Sequence, residues 1–145
     1  MKALSQAALE QVFLSARSAN TFQEKEVSDT VIKQLYELLK WGPTSMNCQS
    51  SHLLFIKGDA AKQRLQPALL DGNKAKSLAA PVTVIVANDL EFYQHMPTQF
   101  PAVPGAKQMF EGNTVLRNTT AFRNSSLQGT YLIMAVRMLG LDCGL

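Results

Sequence analysis

The residues best equipped for chemistry cluster in one stretch, Trp41-Gly42-Pro43-Thr44-Ser45-Met46-Asn47-Cys48-Gln49. Thr44, Ser45, Asn47 and Gln49 bring hydroxyls and amides that both donate and accept hydrogen bonds, with no carboxylate or lysine among them. Such a set suits the edge of a flat heteroaromatic ring with mixed donors and acceptors. Gly42 is placed to end a preceding helix with a positive φ, and Pro43 forbids the helix to resume, so a sharp, stiff bend is expected. Two readings stand: a binding loop, or an ordinary helix-to-strand connection whose polar residues only cap backbone groups. A second candidate is Arg17-Ser18-Ala19-Asn20-Thr21-Phe22. An arginine fork beside a hydroxyl and an amide can grip a phosphate through charge-assisted bonds. Arg17 also follows a helical pattern, whose negative dipole end opposes an anion and whose last carbonyls an arginine can satisfy. Both roles are open at this point.

The elements that must position these groups follow from hydrophobic periodicity. Leu4, Ala7, Ala8, Val12 and Ala16 have helical spacing, with Ser5 as a cap. Ser28 and Asp29 open a second helix in which Val31, Ile32, Leu35, Leu38 and Leu39 form the apolar stripe, and this helix delivers the Trp41 loop. A strand follows at 52–56, then a third helix from Gly58-Asp59 that Pro67 bends or ends. Asp71-Gly72-Asn73 reads as a turn before a short helix over 74–79. Val82-Thr83-Val84-Ile85-Val86-Ala87 is β-branched and apolar on both faces, as in a central strand covered by helices on both sides. Residues 88–112, rich in Pro and aromatics, leave this regular pattern; Phe92, Tyr93, Phe100 and Phe110 either wall a pocket or pack the excursion onto the body. A long helix returns from about 114 to 139 and is apolar all round at 131–136, which calls for burial in a core or a subunit interface. Gly129 within it invites close backbone approach. Arg123-Asn124-Ser125-Ser126-Gln128 reads as a solvated or interface surface, with ligand contact as the sharper alternative.

Composition removes several function classes. A chain of 145 residues suits one domain able to bury a real core. Hydrophobic residues make up 46% and charged residues 17%, and no apolar run reaches membrane-span length. The N-terminus lacks a signal-peptide core, so the cytoplasm is expected. The net charge of +3 is scattered rather than striped, which argues against a nucleic-acid face and leaves room for anionic small ligands. Cys48 and Cys143 have no CxxC spacing and read as free thiols. His52 and His95 are too few and too far apart for a zinc site, so no metal is expected.

Taken together, Arg17-Ser18-Ala19-Asn20-Thr21-Phe22, the Trp41–Gln49 loop, Ala80-Pro81-Val82 and Gly140-Leu141-Asp142 resemble, in order and spacing, the FMN-dependent nitroreductase family. Within it the chain looks most like the malonic semialdehyde reductase group of pyrimidine degradation, where loops like Lys40-Trp41-Gly42-Pro43-Thr44-Ser45 and helices like Ala121-Phe122-Arg123-Asn124-Ser125-Ser126 recur. The resemblance implies an α+β, three-layer α/β/α fold with a mostly antiparallel central sheet, in a homodimer holding FMN at the subunit interface. It implies that Arg17, Ser18 and Asn20 hold the flavin phosphate and ribityl chain, which selects the phosphate role for Arg17 over capping. Pro43, Thr44, Ser45, Asn47 and Gln49 then line the isoalloxazine from the other subunit. The implied chemistry is ping-pong: NADH or NADPH gives a hydride to flavin N5, and two electrons pass to a small acceptor such as malonic semialdehyde, a nitro compound or a quinone. No protein acid–base pair is needed, which agrees with the absence of a triad, a carboxylate pair or a G-x-G-x-x-G motif.

Two features depart from the family pattern. Gln49-Ser50-Ser51-His52 lacks the usual proline after the glutamine. The chain also stops at Leu145, where family members continue into further flavin-contacting and partner-embracing segments. The expectation is therefore one nitroreductase-like domain over 1–145, truncated after the long helix, with apolar surface laid bare around 131–139. A non-catalytic flavin-binding remnant and a helical dimerisation module are the alternative functions.

Overall fold

The structure is a computed structural model that describes residues 2–145. Helix α1 (Gln6–Leu9) runs on into a π-helical turn, Glu10–Leu14, and its first turn is capped by the Ser5 hydroxyl, which accepts from Ala8 N–H at 3.3 Å. Helix α2 (Asp29–Leu39) begins where the Ser28 hydroxyl accepts from Val31 N–H, and its stripe buries Leu35 and Leu39. A 3-10 turn, Ser45–Asn47, leads into β1 (Ser51–Lys57). Helix α3 (Asp59–Leu65) follows Gly58, whose φ of 74° only glycine adopts readily, and it decays into a 3-10 turn carrying Pro67. Helix α4 spans Asp71–Ala79 and β2 spans Val82–Asn88. The excursion holds a 3-10 turn, Phe92–His95, then α5 (Met96–Gln99) and α6 (Ala106–Glu111). Helix α7 (Thr114–Met138) ends in a glycine cap: Gly140 sits at φ 73° while its N–H bonds Arg137 O and Leu141 N–H bonds Val136 O.

The strands form a two-stranded sheet among the described residues. Asp89 N–H donates to Ser50 O at 2.7 Å where β2 ends and β1 begins, so the pair is antiparallel. The expectation for β2 needs correction in one respect. Its residues are half-buried over 82–85 and exposed over 86–88, so it is not covered on both faces along its length. Pairing on one side only leaves it an edge, where apolar β-branched residues survive without full burial. Asp71-Gly72-Asn73 is likewise the first turn of α4 rather than a free turn, because Asp71 favours the positive helix end and pairs with Lys74 at 2.7 Å.

The chain divides into two compact units, and β1, β2 and α7 each contribute to both. The first contains the N-terminal segment to Leu38, Phe55–Val84 and Leu132–Leu145. Within it Gln11 Nε2 donates to Arg137 O and Arg137 Nη1 donates to Val12 O, a reciprocal tie between the π-helical turn and the end of α7. Lys62 is buried with its ammonium donating to the carbonyls of Leu78 and Ala80, which removes the cost of burying the charge unpaired. The second unit comprises Leu39–Leu54 and Ile85–Tyr131. Its core gathers Cys48, Phe92, Tyr93, Met96, Ala106, Phe110 and Ala121. Phe92 meets Phe110 edge to face at 4.9 Å, and each fully buried ring is worth about 1.5–3 kcal/mol. All four excursion aromatics thus pack the excursion down, Phe100 half-buried against the same cluster, and Arg117 lies over the Tyr93 ring at 5.2 Å.

Candidate functional site

The Trp41 loop leaves α2 through Gly42, whose N–H bonds Leu39 O at 2.9 Å. Gly42 does not carry the expected positive φ; the positive-φ glycines are Gly58 and Gly140. Glycine is needed here for room instead, since a Cβ would lie 2.6 Å from the ring of Tyr131 on α7. Beyond Pro43 the side chains alternate. Pro43, Ser45, Asn47 and Gln49 are exposed, whereas Thr44 and Met46 are half-buried and Cys48 and Ser50 are buried.

The alternation is held by an unusual backbone. Met46, Asn47 and Gln49 have φ of 52°, 51° and 43°, the left-handed region that costs an L-residue about 1–2 kcal/mol. Asparagine tolerates it; methionine and glutamine do not favour it. The Thr44 hydroxyl accepts from Gln49 N–H at 3.1 Å, so this candidate turns its side chain inward and closes the turn. Asn47 Nδ2 donates to Gln99 O at 3.0 Å, and Asn47 Oδ1 accepts from Gln49 Nε2 at 2.9 Å. The remaining faces of Ser45, Asn47 and Gln49 form a row of neutral donors and acceptors.

What fixes the row is a polar stripe on α7. Asn124, Ser125 and Gln128 lie at i, i+1 and i+4 and are 2%, 1% and 8% exposed. Asn124 Oδ1 accepts from Ser45 N–H at 2.8 Å, while Asn124 Nδ2 donates to Thr120 O. The Ser125 hydroxyl donates to Ser50 O at 2.8 Å, and the Ser50 hydroxyl donates to Ala121 O. Gln128 Oε1 accepts from Ser51 N–H at 3.0 Å. This stripe was the part of the site that sequence reading placed on a solvated or interface surface. Its signal was available: three polar residues on one face of a helix with a strongly apolar C-terminal half.

Arg17, Ser18 and Asn20 lie in the first unit, all exposed. Arg17 Nη1 donates to Leu14 O at 2.9 Å and Ala16 O at 2.8 Å, the capping geometry that was one of its two open roles. Among the described residues its other N–H groups bond no protein acceptor. The segment is pinned from the other side, since Ala19 N–H donates to Cys143 O at 2.9 Å and a Cβ on Gly144 would collide with Ala19 O.

The family pattern described as "Nitroreductase family" matches residues 14–145. The chain belongs to the nitroreductase family. That family is one of oxidoreductases. A Burkholderia lata relative, which carries the provisional name NADH dehydrogenase/NAD(P)H nitroreductase, is 54% identical over 99% of this chain and 73% of its own. A nitroreductase structure from Bacillus subtilis, also provisionally named, aligns with a TM-score of 0.84 at 18% identity, covering 96% of this chain and 75% of the other. A further such structure, from Exiguobacterium sibiricum in complex with FMN, aligns with a TM-score of 0.82 at 20% identity, covering 98% and 75%. At those identities the structural likeness establishes the fold, the nitroreductase-like α+β fold with an antiparallel sheet.

The electrostatics of the cysteines are quiet. Burial pushes the Cys48 thiol up from its ordinary range, against hydrogen bonds from Ser50 and Thr44, and burial also raises Cys143. Both cysteines are free thiols that stay protonated at neutral pH. No group of His, Cys, Asp and Glu among the described residues is arranged to hold a metal. No helix among them is long and apolar enough to cross a membrane.

Proposed function

We propose that this chain binds FMN and acts as an NAD(P)H oxidoreductase delivering two electrons to a small acceptor, either an aldehyde like malonic semialdehyde, a nitro compound or a quinone. The observation that carries the reading is the exposed row Pro43, Ser45, Asn47 and Gln49, neutral and rich in both donors and acceptors, held on a strained backbone. The donor set fits FMN. A tricyclic ring edge needs mixed neutral partners, and a phosphate needs a cation with unused N–H groups, which Arg17 retains beside the exposed Ser18 and Asn20. Bound FMN supplies two-electron hydride chemistry at N5, reduced by NADH or NADPH in one half-reaction and reoxidised by the acceptor in the next.

Each residue then has a bounded task. Arg17 keeps one nitrogen on the Leu14 and Ala16 carbonyls, which orients the fork, and offers the rest to phosphate. Ser18 and Asn20 hold the phosphate and ribityl hydroxyls. Pro43 gives the ring a stiff apolar edge, and Ser45, Asn47 and Gln49 meet its polar rim, with Thr44 closing the turn behind them. The chain works as one nitroreductase-like domain over 1–145. The functional unit is a homodimer with Arg17, Ser18 and Asn20 from one protomer facing the loop of its partner. Exposed apolar residues on α7, Val115 at 77% and Phe122 at 67%, support association. The cytoplasm, where free thiols persist and NAD(P)H is available, is the matching compartment. The name of the Burkholderia lata relative and the FMN complex of the Exiguobacterium sibiricum neighbour support the cofactor and donor.

The residue-level test is Arg17→Ala. Losing a charge-assisted phosphate contact is expected to weaken FMN binding by about 10- to 100-fold, read by quenching of flavin fluorescence. Unchanged FMN affinity with a lowered melting temperature would leave Arg17 a helix cap and withdraw its phosphate role.

A further inference from the structure

Resting on the flavin reading of the loop, we infer that Asn124 and Gln128, two buried amides of α7, are positioning residues that hold the left-handed turn and so set how Asn47 and Gln49 meet the cofactor. The turn runs against local preference. A loop selected only for stability would carry glycine where Met46 and Gln49 have positive φ, and a helix selected only for packing would carry apolar residues where Asn124 and Gln128 are buried. Each amide instead has its oxygen on one backbone N–H of the loop: Asn124 on Ser45 at the entry, Gln128 on Ser51 at the exit. Asn124 is itself fixed, because its nitrogen donates to Thr120 O one helical turn back. Clamped at both ends, the residues between have no freedom to relax into an extended path, and the exposed amides of Asn47 and Gln49 stay bonded to each other at 2.9 Å. Buried behind the loop, the amides act through the turn, as supporting contacts behind a binding row do.

The test uses two readouts on Asn124→Ala, with Leu132→Ala, a buried position on the same helix outside the loop, as the control for general loss of packing. In the FMN-free chain, amide hydrogen exchange of Ser45 is expected to accelerate at least tenfold in Asn124→Ala and to stay within about twofold of wild type in Leu132→Ala. In the FMN-loaded chain the dissociation constant is expected to rise about tenfold, with a shifted flavin absorption band, in Asn124→Ala alone. Gln128→Ala, read at the Ser51 amide in the same way, serves if Asn124→Ala does not fold. Unchanged exchange at Ser45 and Ser51 overturns the clamp whether or not FMN binds. Faster exchange with unchanged FMN affinity and spectrum overturns the positioning role while leaving FMN binding intact. Wild-type chain that takes up no FMN overturns both the flavin reading and the positioning role, leaving only a structural clamp.

Discussion

Gln49 is the residue at which stability and binding pull apart most cleanly. Its φ of 43° disfavours any side chain, yet its amide sits in the exposed row and bonds Asn47. Gln49→Gly is therefore expected to leave stability unchanged or raise it by about 1 kcal/mol in thermal unfolding, while FMN affinity falls. A parallel loss of both would place Gln49 in the fold rather than in the site. Cys48 makes a prediction in pH. Its thiol is held protonated by burial, so the folded chain binds that proton more tightly than the unfolded one, and stability falls as pH rises above the ordinary thiol value of about 9. Cys48→Ser should lessen that alkaline decline, leaving the share due to Cys143, checked by denaturant unfolding from about pH 7 to pH 10. The polar residues of the loop were legible from their types alone. That Thr44 faces inward was not, because the choice depends on backbone angles that Met46, Asn47 and Gln49 adopt against their own propensities.

Between elements, the join of α2 to the loop depends on a flat contact. Gly42 lies against the Tyr131 ring, and Gly42→Ala would drive a methyl to 2.6 Å from it. The expected cost is about 1–3 kcal/mol, recovered in large part when Tyr131→Ala is added, a coupling that a double-mutant cycle measures. Additive effects would mean that the ring moves aside freely. Helices and strands were readable because their apolar periods are strong: 29–39 and 114–138 appear within a residue or two of expectation. Turn chemistry was less readable, since Gly42 could serve either φ or space, and only the Tyr131 ring decides. Asn124, Ser125 and Gln128 escaped for a related reason. Periodicity shows that they share a face, but not that a loop with unpaired backbone groups covers it. Bare apolar surface was expected around 131–139; there Leu132 and Ala135 are buried while Tyr131 and Met138 are exposed, and further exposed apolar residues, Val115 and Phe122, lie nearer the other end of α7.

At the scale of the molecule, the chain spans about seven-tenths of its relatives' length, and its described residues form an antiparallel pair, the loop and a long helix. Family membership was legible because four short segments recur in order, each weak by itself. The partner was not, since Val115, Phe122 and Trp41 are exposed and nothing in their types names what covers them. A homodimer is expected in sedimentation velocity, shifting to monomer when Phe122→Glu places a charge on the face; an unchanged dimer would move the interface elsewhere. The measurement that bears most directly on the whole account is anaerobic titration of the FMN-incubated chain with NADH and NADPH. The account predicts that FMN remains with the protein through gel filtration, that its visible absorption bleaches with at least one nucleotide, and that colour returns on adding an aldehyde, nitro or quinone acceptor. Protein that emerges colourless, or that stays yellow with both nucleotides, would contradict it.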